Sequence, residues 1–310
     1  MINRELIRLK VLQLTYAYYQ NGDRTVDSTE KELFFSLHKA YDLYMMLLAL
    51  IVALTKEGAR RYEIEKVRAE REGETLEKNK FVANRFAQQL AENETLFNYL
   101  EDRSHRWDDD EELIRSLYTQ IVASADYRYY MNMGEDSYEE DRNFWRTIYK
   151  NIIMDNEDLE EALEGKCIYW NDDKPTIDTF VMKTIKRFDP ENGASQPLLN
   201  DYSNETEDKE FARKLLRNTI NNAEEYQQYM VESAKNWTLD RFAFMDVIIM
   251  QMAIAEMLTF PNIPVNITIS IYVDMAKLYS TYKSWKFVNG LLDNIAHRLV
   301  EERKMLKEVK

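Results

Sequence analysis

The stretch Lys283-Ser284-Trp285-Lys286-Phe287-Val288-Asn289-Gly290-Leu291-Leu292-Asp293-Asn294-Ile295-Ala296 decides how this chain is read. Val288, Leu291, Leu292, Ile295 and Leu299 recur at the i, i+3, i+4, i+7, i+11 spacing of one buried helix stripe. Ser284 stands where an N-cap belongs, and Lys283 and Lys286 beside a helix start suit phosphate. Phe287 has two readings, a core ring or a platform on which an unpaired base stacks. Gly290 inside a helix costs stability relative to Ala, which predicts a close helix contact at that point.

Outward from this helix, the composition points the same way. Seven Gly and five Pro in 310 residues leave few turn formers, while Leu, Glu, Lys, Arg, Ala and Met abound. The chain is read as all-α, long enough for one large or two ordinary domains. Its one cysteine, Cys167, excludes an intramolecular disulfide and a multi-thiolate metal site, and it reads as a small, at least partly buried residue. Met1 to Lys10 carries charges every few residues, unlike a secretory signal. The longest apolar run, Leu43 to Leu54, has 12 residues and falls short of a bilayer span. A cytoplasmic protein without membrane association is expected.

The net charge of −14 is distributed unevenly, with +2 on residues 1–20, +3 on 266–310 and −19 between them. Basic ends brought together by the fold suit RNA, while the acidic middle repels non-specific polyanion contacts. On charge alone, a solvated acidic surface is the other reading.

Helices are expected over about 3–20, ending at Asn21-Gly22, and over 30–70, opened by a Thr29/Glu32 capping box. Charged residues around Gly73 suggest an exposed helix end and linker over 63–80, followed by helices near 81–101 and 110–130. The acidic run Asp108 to Glu112 fits a first helical turn better than a cation site. Pro190, Gly193 and Pro197 mark a loop or domain junction over 189–207. His38, His105 and His297 lie outside any metal-binding spacing, and no Gly-rich phosphate loop occurs. No enzyme, metal or cofactor is expected.

An ungapped internal repeat lies at an offset of 67 residues, where Glu140-Asp141-Arg142-Asn143-Phe144-Trp145-Arg146 falls over Glu207-Asp208-Lys209-Glu210-Phe211-Ala212-Arg213. Asn151, Ile153, Glu157 and Trp170 then fall over Asn218, Ile220, Glu224 and Trp237. Duplication and convergent helical patterning both account for it.

Ile263-Pro264, Ala276-Lys277, Phe287-Val288-Asn289-Gly290 and Asp293 together resemble the closing motif of the NusB family of transcription antitermination factors. That motif runs from an I/V-P turn through an A-K helix to F-V-N-G-x-L-D-x-I-A. Leu12 to Tyr18 resembles the family's first helix, A-L-Q-A-L-Y-x-W, and Phe211 to Trp237 its third. Trp237 to Arg241 with Met245-Asp246 resembles its R-L-x-x-V-D-R-A-I-L segment. The conserved frame is then 1–60 plus 205–310, with 61–204 a helical insertion that is in part a candidate repeat of the domain. Where the family has an Asn-Glu pair, this chain has Ser270-Ile271, which bears on a local polar contact or a partner surface.

The resemblance implies two perpendicular three-helix bundles and a heterodimer with NusE, a small-ribosomal-subunit protein. Its target would be the boxA element of ribosomal RNA leader transcripts, within the RNA polymerase elongation complex. In that role Arg4, Arg8 and Lys10 would position phosphates, Lys283, Ser284 and Lys286 would grip the backbone, and Phe287 would meet a base or the partner. Some members self-associate, so a homodimer stays open. A second reading is a helical adaptor that docks proteins through the acidic insertion and binds RNA weakly or not at all. A third, an RNA-modifying enzyme of the methyltransferases that carry NusB-like domains, lacks its Gly-rich segment and catalytic cysteine motif here.

Overall fold

The computed structural model describes residues 1–102, 106–134, 137–234 and 242–307, so His105 and Trp237 to Arg241 lie outside the described residues. Among the described residues there are fourteen α-helices and no strand, only an isolated bridge between Ile2 and Tyr202.

Helix α1 (Arg4–Gln20) starts where the Asn3 side chain accepts the Leu6 amide at 2.9 Å, and it ends at Asn21. Helix α2 (Val26–Glu72) begins one turn before the expected capping box. Its reciprocal cap is Thr25 with Ser28, each amide bonding the other's hydroxyl at 3.1 Å, and Thr29 lies inside the helix donating to the Thr25 carbonyl. The helix stops at Gly73, whose φ of +75° a side chain would resist. By length and composition α2 could cross a membrane, but 78% of its most apolar window is buried, as in a core helix.

The chain divides into two compact units, one of Met1 and His38–Asp201 and the other of Ile2–Leu37 and Tyr202–Lys310. The first division falls inside α2, where the sequence reading set 60/61, because unbroken helical periodicity carries no signal there. The second falls between Asp201 and Tyr202.

In the first unit, each long helix expected over 81–101 and 110–130 is two. Asn93 separates α3 (Arg85–Ala91) from α4 (Glu94–Tyr99), and Ser124 separates α5 (Glu111–Ala123) from α6 (Ala125–Asn132). Both side chains cap the following helix, accepting the amides of Leu96 and Tyr127, so they compete with the helical backbone and win. Glu111 and Glu112 occupy the first turn of α5, as expected. Helix α7 (Tyr138–Ile148) runs into a π-helical turn (Tyr149–Ile153), followed by α8 (Glu157–Lys166), α9 (Lys174–Arg187) and a 3₁₀ turn (Pro190–Ser195). Helix α7 packs on α3, α6 and α9. At its centre Phe81 contacts the rings of Tyr118, Phe144 and Trp145.

The second unit adds α10 (Glu205–Asn221), α11 (Ala223–Ser233), α12 (Phe244–Thr259), α13 (Val265–Tyr279) and α14 (Ser284–Glu301). Every residue of α12 from Asp246 to Met257 is buried, because α1, α10, α11, α13 and α14 all pack on it. A helix that is apolar all round belongs at such a centre.

Candidate nucleic-acid interface

Helix α14 buries the stripe its sequence predicts: Val288, Leu291, Leu292, Ile295 and Leu299. Its first turn departs from expectation. Ser284 is the first helical residue rather than the cap, and it is buried. Its hydroxyl donates to Asp246 Oδ2 at 2.7 Å and also meets the hydroxyls of Thr281 (2.6 Å) and Ser280 (3.2 Å). A buried carboxylate needs such donors, so Ser284 ties α14 to α12 from within the packed layer. Gly290 also departs from expectation, since a Cβ there would meet nothing within 4 Å.

Lys283 and Lys286 are exposed on either side of this buried hydroxyl. Phe287 is half-buried, its ring edge-to-face with Phe242 at 5.0 Å. Three further residues complete the corner. Leu278 and Tyr282 are 77% and 90% exposed, and the Trp285 ring lies 5.4 Å from the ammonium groups of both Lys277 and Lys286. Sequence reasoning missed them because one Tyr among twenty carries no signal of its own.

The amino-terminal cluster is divided. Arg4 is exposed and lies over the Phe211 ring at 5.1 Å. Arg8 is buried, its Nε and Nη2 donating to the two Glu256 oxygens at 2.6 and 3.0 Å. Glu256 also accepts from Thr268 at 2.9 Å and Tyr272 at 3.1 Å. Burial opposes the Arg8 charge, but the Glu256 carboxylate outweighs it and raises the guanidinium above its ordinary value. Burial first, then Glu256, pushes the Tyr272 phenol far up. Lys10 is 1% exposed. Arg8 and Lys10, expected to position phosphates, are instead both buried: α1 is covered on every face from Leu6 to Leu12, and Arg8 pairs there with Glu256. Asp246 and Glu256, the α12 anchors of Ser284 and Arg8, are ten residues apart on one helix, about 15 Å along its axis. The two expected clusters thus sit at opposite ends of α12.

The NusB family model matches residues 179–297. The transcription antitermination protein NusB of Geotalea daltonii is 32% identical over 146 residues, 47% of this chain and 96% of that protein. This chain belongs to the NusB family. The NusB of Salinibacter ruber is 30% identical over 132 residues, 41% of this chain and 82% of the relative. That of Chloroherpeton thalassium is 41% identical over 85 residues, 27% of this chain and 40% of the relative. No solved structure matches significantly. The stretch matched to the NusB model takes in α10 to α13, most of α14 and the whole corner from Lys277 to Phe287.

Proposed function

We propose that this protein is a cytoplasmic transcription antitermination factor that binds boxA-type RNA together with NusE and supports ribosomal RNA transcription by joining elongating RNA polymerase. It acts by binding, without chemistry. The reading rests on NusB family membership and is supported by the α13–α14 corner, where Lys277, Lys283 and Lys286 stand exposed. The unit that carries them is nearly neutral, with 19 Lys/Arg against 20 Asp/Glu. Affinity for a short boxA RNA and a scrambled RNA, with and without NusE at two salt concentrations, tests it. Selective binding that strengthens with NusE is expected, with a log–log salt slope of about −0.7 per phosphate engaged. Equal binding of both RNAs overturns the reading.

The adaptor reading keeps one supporting observation. The first unit holds 35 Asp/Glu against 22 Lys/Arg, a net −13 suited to a basic protein partner. Binding of NusE or polymerase without RNA selectivity would favour it.

A further inference from the structure

We infer that Tyr282 and Trp285 form a base-stacking platform, so that the α13–α14 corner holds unpaired bases on these two rings and not on Phe287. The inference rests on the RNA-binding reading above and assigns it residues. Single exposed apolar side chains are ordinary on protein surfaces. Here Leu278, Tyr282 and the half-exposed Trp285 fall within eight residues, across the turn from α13 into α14. Tyr282 is the more telling of the two rings, since a phenol 90% exposed contributes almost nothing to the core.

The charges choose the occupant. From Asp274 to Phe287 there are three lysines and one acid, and that acid, Asp274, pairs with Lys277 at 2.7 Å. The ammonium groups of Lys277 and Lys286 each lie over the Trp285 ring, 5.4 Å from its centroid, and bring positive charge to the corner by cation–π attraction. Aromatic faces edged with Lys are the chemistry of single-stranded nucleic acid, whose bases stack while its phosphates meet cations. Phe287 is less available than Tyr282, since it is half-buried with its ring against Phe242.

Full-length protein with NusE, bound to boxA-type RNA carrying single 4-thiouridines, should give crosslinks at Tyr282 or Trp285. Tyr282→Ala and Trp285→Ala should each weaken binding at least about fivefold without changing the salt slope, and Tyr282→Phe should bind as wild type. Lys283→Ala and Lys286→Ala should instead shift the slope by about 0.7 each. Unchanged affinity in a Tyr282→Ala protein of wild-type Tm overturns the platform. So does a loss confined to NusE capture, which makes the corner a protein-docking surface. If the wild type shows no boxA selectivity, the antitermination reading fails instead. The platform is then judged on poly(U), where insensitivity to Tyr282→Ala rejects it.

Discussion

Helices α7 to α9 of the first unit and α10 to α12 of the second follow one plan at an offset of 67 residues. Ser137 and Asn204 cap α7 and α10, each accepting the amide three residues on, from Glu140 at 3.1 Å and Glu207 at 3.4 Å. Asp141 and Asp208, Phe144 and Phe211, Ile148 and Leu215, and Ile153 and Ile220 are buried in step. The two segments differ where a polar atom enters the core. Tyr149 stands in the place of Leu216, and its hydroxyl donates to Asp178 at 2.6 Å within a π turn, with Lys174 completing the site at 3.0 Å. They differ also in their units' charge, −13 against −1. A partial copy of the conserved domain and convergent helical patterning both account for the shared register, and the difference teaches that a chain-wide −14 says little about the unit that would meet RNA. Superposing the backbone of 140–185 on 207–252 tests the copy, and unrelated helix crossings would remove it.

The largest effect should come from Glu256→Gln, which leaves Arg8 buried without its carboxylate and costs about 3–5 kcal/mol. Hydrogen exchange should show the loss in α1 and α12 and spare α7 to α9; uniform loss in both units would break the comparison. Next is Gly58→Ala in the first unit. Its Cβ would lie 2.5 Å from Phe81, so overpacking should cost about 1–3 kcal/mol in urea unfolding. The cap pair comes third: Ser137→Ala and Asn204→Ala should each cost about 1 kcal/mol, and a large disparity would argue against equivalent roles.

The smallest shift should come from Gly290→Ala, with the opposite sign. The site is helical with open space around it, so Tm should rise with a gain of about 0.5–1 kcal/mol. The first unit should also show an acid limb traceable to one group. The Arg60 hydrogen bond, with help from Arg61 and against burial, holds the Glu57 carboxyl down to about 2. A lowered pKa gives stability that is full above the ordinary 4.5 and lost as pH falls toward 2. The urea midpoints of wild type and Glu57→Gln should therefore differ most at pH 7 and converge near pH 2.

Much of the fold was legible because helical periodicity is a local property. The α14 stripe, the end of α1 and the acidic first turn of α5 all fell where spacing and caps put them. Asn93 and Ser124 were harder to read, since either residue sits in a helix or breaks one depending on whether its side chain finds the next amide. Of the residues expected at the site, Lys283 and Lys286 stand exposed, whereas Arg8, Lys10 and Ser284 are buried. A basic or hydroxyl side chain carries no mark in sequence of the buried acid that claims it.

The sequence by itself determined the all-α class, the family motif from Ile263 to Ala296 and the amphipathic stripe that closes the second unit, because each follows from the order and spacing of neighbouring residues. Tertiary structure alone decided which charges reach solvent. Glu256 and Asp246 lie on α12, far along the chain from Arg8 and Ser284, and only folding brings each acid within hydrogen-bond distance. Once there, the cost of burying a carboxylate without donors draws both partners inward and leaves the surface to Lys283, Lys286, Tyr282 and Trp285.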